Sequence, residues 1–382
     1  MLTPFDDHPV HQLPVPLAHA GAGHPDFYDR FWFNGYTEDF YFAMALGLYP
    51  NRGVIDAAFA VVDAGVQRSV FASGPIPLDR RSTSVGPLSV QVVDPLRVNR
   101  VRVEAPAHGL EADITATART AAFEEPRQTH YVGNRLVMDV TRATQMTDWA
   151  GAIRAGGRDL DLSTSPVRGT KDRSWGVRPV GEPTPAAPSP APPQVFFLWV
   201  PLNFDDECLH YMVFEDASGT PWSHTAVVLP VIGRDDPVVG DEAGFERVSV
   251  ARRDVVWASG LRRASRASLE LARSTAPVPA RGGEGPVGTA TTVDLEPVLT
   301  FRMRGAGYMH PSWGHGRWHG GLEVGGESHR VEDLDTPALD CVHVQQVVRA
   351  TWGDRRGLGV LEQLAIGPHA PSGFQGLLDG AR

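Results

Sequence analysis

Short apolar runs of period two, each closed by Gly, Pro or Asp, carry the structural signal of this chain. In the first half they are VIDAAFAVVD (54–63), VQRSVFAS (66–73), LSVQVVDPLRVNRVRVEA (88–105), LEADITATA (110–118) and RLVMDVTRATQM (135–146). The second half keeps the rhythm with QVFFLWVPL, CLHYMVFED, HTAVVLPVI, ASLELA and VLTFRMRGAGYM. Strands at such intervals, with turn residues between them and no long stretch of helical period, predict an all-β protein of antiparallel meanders closed into barrels or folded as sandwiches. Two aromatic-rich openings, RFWFNGYTEDFYFAMAL (30–46) and VFFLWVPLNFDDECLHYMVF (195–214), start the halves alike and predict a tandem repeat. The Pro/Ala-rich stretch 181–194 cannot fill a core and reads as a linker. The expected organisation is an N-terminal arm (1–24), a first β-domain (25–180), that linker, and a second β-domain with closing strands (195–382).

One short frame occurs twice. GTKDRSWGVR (169–178) and GYMHPSWGHG (307–316) share G-x-x-[D/H]-x-S-W-G, so Ser174, Trp175 and Gly176 fall on Ser312, Trp313 and Gly314. In an extended strand Thr170, Asp172 and Ser174 share one face, and Lys171, Arg173 and Trp175 the other. Two cations make the Lys171/Arg173 side the expected exterior, which turns Asp172, and His310 in the second copy, inward. A carboxyl desolvated in a barrel is a candidate general acid. The plain structural alternative is that Asp172 pairs with Arg173, Arg178 or a backbone N–H, while the Trp and Gly fit a barrel end.

The second copy is rich in histidine. His310, His315, His319 and His329 could be read as zinc ligands, but their spacing matches no known site, and a polar patch with Tyr308 and His310 beside Trp313 and Trp318 is the alternative. Asp56 in VIDAAF, Asp139 in VMDV and the pair His130–Tyr131 read as solvent-facing or hydrogen-bonded strand residues. No phosphate loop, nucleophile elbow or dinucleotide fingerprint occurs.

Composition narrows the ligand class. A net charge of −10 without a basic run argues against nucleic acid or an anionic membrane surface, and no apolar stretch is long enough for a membrane helix. The N-terminus lacks a signal-peptide pattern, so a cytoplasmic protein with reduced Cys208 and Cys341 is expected. Lys171 is the only lysine, as an Arg-biased genome would leave it.

The segment W-x-N-G-Y…ALGLYPNRG-x-x-D, Trp32 through Asp56, together with G-x-x-D-x-S-W-G-V-R at 169–178, resembles the bacterial superfamily of carotenoid 1,2-hydratase-like and AttH-like proteins. The resemblance implies two lipocalin-like antiparallel β-barrels in tandem and cofactor-free chemistry on large apolar molecules. It places the alkene-protonating acid at Asp172 and its assisting Trp at Trp149. The family's Tyr and His positions hold Thr170 and Thr147, and Tyr308 keeps the Tyr in the second copy, where His310 replaces the Asp.

These readings converge on a cofactor-independent enzyme acting on a terpenoid, steroid or polyketide by acid-assisted hydration, dehydration, isomerisation or cyclisation. Asp172, Tyr308 and His310 are the catalytic candidates. Trp149, Thr170, Ser174, Trp175, Trp313 and Phe42 are the substrate-binding ones, and no metal is expected. The alternative is a non-enzymatic carrier of a hydrophobic small molecule; a lectin-like sandwich lacks paired carboxylates, and a homodimer is left open.

Overall fold

The computed structural model describes residues 2–11, 14, 23–79, 81–133, 135–183, 189, 191–240, 244–274 and 287–382. Every regular element among them is a strand or a short 3-10 turn, so the all-β expectation holds. Residues 184–188 and 190 of the expected linker and residues 12–13 and 15–22 of the expected arm lie outside the described residues.

The chain forms two compact units. Unit 1 comprises Met1–Pro192, Ile232–Glu242 and Phe301–Leu334, and unit 2 comprises Pro193–Val231, Ala243–Thr300 and Asp335–Arg382. The first segments of the two units meet at Pro192/Pro193, and Phe301–Leu334 belongs to unit 1.

Unit 1 is built on fourteen strands: β1 (Phe27–Tyr36), β2 (Phe40–Tyr49), β3 (Val54–Asp63), β4 (Val66–Pro75), β5 (Ser84–Val85), β6 (Leu88–Asp94), β7 (Val98–Ala105), β8 (Leu110–Ala118), β9 (Phe123–Glu124), β10 (Gln128–Val132), β11 (Arg135–Ala155), β12 (Arg158–Asp161), β13 (Val167–Val177) and β20 (Glu323–Arg330). Unit 2 holds β14 (Val195–Asn203), β15 (Glu207–Glu215), β16 (Pro221–Pro230), β17 (Glu246–Trp257), β18 (Ala264–Ser274), β19 (Val287–Arg302), β21 (Val344–Trp352) and β22 (Arg355–Ile366). These eight close in chain order into an antiparallel barrel, the arrangement of up-and-down barrels. Phe196, Leu198, Tyr211, Leu269 and Trp352 fill its core. No helix of the described residues is long and apolar enough to cross a membrane.

In unit 1 the sheet runs β20-β4-β3-β2-β1-β13-β11-β8-β7-β6-β5. It curls until residues of β6 and β7 (Val90, Val101, Val103) pack with those of β2 to β4 (Leu46, Phe59, Val70) in one core. Alternation decides which side chains enter it. On β2, Phe42, Met44, Leu46 and Leu48 point inward; on β3, Ile55, Ala57, Phe59 and Val61 do. The opposite, outer face of these strands carries small residues, Ala43, Ala45 and Gly47 beside Ala58 and Ala60, all buried as well.

What covers that outer face is the second copy of the repeated frame. Residues 303–322 form a strap of turns across it, and β20 then adds to the edge strand β4. An extended strand, the form expected for this copy, is blocked by three glycines at positive φ (Gly307 +87°, Gly316 +71°, Gly320 +87°), by Met309 at φ 51° and by Pro311. The strap is pinned by Gln67, which exchanges two hydrogen bonds with the Arg302 backbone (2.9 and 2.8 Å), and by Ser73, which donates to Arg317 O (2.9 Å).

Candidate functional site

The repeated frame lies on β13, between β1 and β11, and its faces are the reverse of the expected ones. Arg173 lies opposite Phe31 and Lys171 opposite Phe33, so both cations point to the core side. Buried counter-charges unreadable from the local sequence receive them there. Lys171 Nζ reaches Asp7 Oδ1 at 2.5 Å and Asn99 at 2.8 Å, and Arg173 reaches Asp29 Oδ1 at 2.6 Å. His11 bridges Asp29 and Asp6, 2.9 Å from each, and stacks on Trp175 at 3.7 Å. Burial would raise Asp7 and Asp29, but their cationic neighbours overcome it and hold both below 3.8. The N-terminal residues thus close one side of unit 1 with matched charges.

Asp172 accordingly faces outward, 2.9 Å from Arg142 Nε, and Arg142 also contacts Glu125 (3.3 Å). Glu125 accepts further bonds from Thr144 (2.7 Å) and Gln128 (2.9 Å). A guanidinium partner favours a carboxylate anion, whereas a proton donor needs the neutral acid. The geometry is that of a filled ion-pair network. Thr170 is spent on Asn34 Oδ1 (2.8 Å from N, 2.6 Å from Oγ1), and Trp149 Nε1 donates to Asn34 O (2.9 Å). Trp149 and Phe42, rings 5.0 Å apart, fill the core and do not line a cleft. Trp175 packs on the inner side, and Ser174 lies on the outer face between Arg30 and Arg142.

His310 is a clamp of the strap. Its Nδ1 accepts from the backbone N–H groups of Ser312 (3.0 Å) and Trp313 (2.8 Å), which leaves Nε2 to donate to Glu327 (3.1 Å). Burial would raise Glu327, but hydrogen bonds from His310 and Arg304 hold it at about 2. His319 stacks on Trp313 (4.4 Å), and His315 lies elsewhere, against Arg30. Among the described residues no three His, Cys, Asp or Glu side chains are placed to hold one metal ion.

The chemistry gathers around Asp56, on the outer face of β3. Directly across the strand pair sits Gly47. A Cβ there would lie 2.4 Å from the Tyr49 hydroxyl, so the missing side chain is the space in which Tyr49 reaches Asp56 Oδ1 at 3.1 Å. Gly316 of the strap donates its N–H to Asp56 Oδ2 at 2.6 Å. Desolvation still prevails: burial pushes the Asp56 carboxyl up to about 6, against the Gly316 N–H, the Arg30 charge, the Tyr49 hydroxyl and the Arg178 charge, which lower it. Tyr49 is itself pushed well up by burial. Asp56 lines a cavity of about 10 Å³ with Ala45, Phe71, Gly307, Trp313 and His315. That is near the smallest space that admits one water. A larger open groove of about 460 Å³ lies beside Thr83, Ser89 and Gln91, but its Asp79 and Arg81 pair with each other at 2.9 Å.

Beside Asp56 two arginines flank Tyr308, their guanidinium carbons 4.6 Å (Arg30) and 5.6 Å (Arg178) from its ring centroid. Arg178 also stacks on Tyr28 (4.5 Å), and Trp32 meets Tyr308 edge-on at 6.0 Å. His315 Nδ1 lies 2.9 Å from Arg30 Nη1, and Nε2 lies 2.9 Å from Arg30 Nη2 and 2.8 Å from Ala306 O; a guanidinium only donates, so the imidazole it faces is neutral.

The family model for Family of unknown function (DUF8625) matches residues 2–375. The chain belongs to that family. The match spans both units, so the strap and the sheet it covers lie within the family's extent. No curated protein matches the chain. Among solved structures it is similar to "a putative AttH" from Nitrosomonas europaea, at 14% identity over 92% of this chain and 98% of that one, with a TM-score of 0.49. It is also similar to isotype 1 transferrin binding protein B from serogroup B Neisseria meningitidis, at 7% identity over 85% and 66% of the two chains, with a TM-score of 0.14.

Of the expected catalytic residues, Tyr308 alone stands beside the titratable group of this cleft. Asp56 and Tyr49 were missed as a pair because nothing local marks them. The readable signal was the Gly47–Tyr49 spacing in ALGLY next to the single carboxylate of VIDAAF.

Proposed function

We propose that the protein is an acid–base enzyme acting on a large apolar molecule, with Asp56 as the group that moves the proton. The observation that carries this reading is a carboxyl brought to about 6 on the wall of a cleft, close to the pH at which a proton shuttle works best. The acid role expected for Asp172 passes to Asp56. Tyr308 shapes the cleft and His310 holds the strap that closes it.

Asp56 as the carboxylate takes a proton from a carbon next to a carbonyl, and the electron pair moves onto the carbonyl oxygen. Protonated Asp56 then returns the proton to another carbon, which completes an isomerisation, or to a leaving hydroxyl, which completes a dehydration. Gly316 N–H and Tyr49 O–H hold the carboxylate in place. Arg30 and Arg178 give the surroundings a positive field, so reactions that develop negative charge are favoured over alkene protonation through a carbocation. The cavity of about 10 Å³ holds no such body as it stands, so on this reading a terpenoid, steroid or polyketide meets the apolar wall of Ala45, Ala57, Phe71 and Trp313 only with the strap 303–322 displaced.

The test is deuterium incorporation. An organic extract of producing cells is incubated in heavy water with the protein, and mass spectrometry follows apolar carbonyl compounds. Label gained with wild type and lost with Asp56→Asn is expected; equal labelling with both proteins sinks the proposal.

A further inference from the structure

Three successive outer-face residues of β1, Tyr28, Arg30 and Trp32, are 0%, 1% and 3% exposed. The Tyr28 hydroxyl, Arg30 Nε and Trp32 Nε1 are all buried without a hydrogen-bond partner among the described residues. Donors are rarely left so, because each costs about 1–3 kcal/mol when stranded. All three are donors, which makes the missing complement an acceptor. Charge says the same. Neither Arg30 nor Arg178 forms a direct ion pair among the described residues: Arg30 is met by a neutral imidazole and a ring face, Arg178 by two ring faces, and the two share only the longer-range field of Asp56. A guanidinium away from water with no ion pair is costly, whereas Lys171 and Arg173 on the other face of the sheet each meet a carboxylate directly, although Arg173 Nε and Nη1 are left without hydrogen bonds among the described residues as well.

We infer that Tyr28, Arg30 and Arg178 form the binding subsite for a carboxylate on an otherwise apolar ligand. Arg178 is partly exposed and meets the ligand first, with Arg30 and Tyr28 buried behind it. Arg178 offers the planar, forked donors that a carboxylate matches, Arg30, whose two Nη groups face His315, adds its Nε–H, and the aromatic rings of Tyr308 and Trp32 border the attached body. Asp56 answers at most one of the two cations at rest, and a charge that develops only during reaction cannot answer the other, so the anion is a permanent part of the molecule. The inference rests on the acid–base reading for placing substrate here, and it sharpens that reading to an apolar carboxylic acid.

Binding of decanoate, decanol and decanamide to the full chain, followed by tryptophan fluorescence and calorimetry, tests it. Decanoate should bind wild type at least roughly tenfold more tightly than either neutral analogue. Arg178→Gln should erase that preference, and Arg178→Lys should restore part of it. Asp56→Asn should keep or tighten decanoate binding, so loss of the acid and loss of the subsite are separable. Equal binding of acid and alcohol by wild type, which needs no variant to fold, overturns the subsite and leaves the proton-transfer proposal standing. Undiminished decanoate preference in Arg178→Gln overturns it as well.

Discussion

The two faces of β1 and β13 use the same residue types in opposite ways. On the inner face each charge meets its opposite: Lys171 with Asp7, Arg173 with Asp29, and His11 between Asp29 and Asp6. On the outer face Arg30 and Arg178 meet aromatic rings and a neutral imidazole, and Asp56 is pushed up to about 6. Matched burial locks the N-terminal residues onto unit 1. Unmatched burial is tolerated only where something else answers the charge, so the outer face is where ligand and chemistry belong.

The largest effect should come from the inner face. Arg173→Met leaves Asp29 buried with one fewer counter-charge and should cost about 3–5 kcal/mol in denaturant unfolding. A loss well below 1 kcal/mol would erase the contrast between the faces. The inner acids should also fail first in acid: Asp29 and Asp7, held below 3.8, stabilise the fold above that value, and their contribution is lost as pH falls through their depressed values.

Asp56 has the opposite sign. Its folded value of about 6 exceeds the unfolded 3.8, so the wild type loses stability as pH rises from about 4 to about 6. Asp56→Asn should gain on wild type across that window, by on the order of 2 kcal/mol. Urea midpoints at several pH values would show it, and parallel profiles would sink the claim. Gly47→Ala crowds the Tyr49 hydroxyl and should cost about 1–2 kcal/mol while weakening the Tyr49–Asp56 bond. Asp-selective carbon NMR should then find Asp56 titrating higher than in wild type, because the Tyr49 hydroxyl lowers it. The smallest effect is expected for Arg178→Met. With no ion-paired carboxylate left behind, it should change stability by less than about 1 kcal/mol, in contrast to Arg173→Met.

Much of the fold was legible. VIDAAFAVVD and LEADITATA coincide with β3 and β8, because a strand with one face in a core must alternate. The repeated frame was legible as a repeat but not as two different objects. Residues 169–178 fall on a strand and its flank, whereas 307–316 form turns, since positive-φ glycines and Pro311 forbid the extended form. Which face of β13 points inward was misread from its two cations. Charge alone does not select a face when buried counter-charges arrive from residues 6, 7 and 29.

By itself the sequence determined the features that local sterics and side-chain period dictate: strands, turns and an all-β architecture. Tertiary structure decided the chemistry. Asp56 acquires its proton affinity only because a strap from 303–322 crosses the sheet and desolvates it; the Gly316 N–H that the strap delivers and the Tyr49 hydroxyl that Gly47 admits hold the carboxylate and temper the rise. Desolvation and charge pairing depend on which distant segments meet, and those meetings are set by the fold rather than by neighbouring residues.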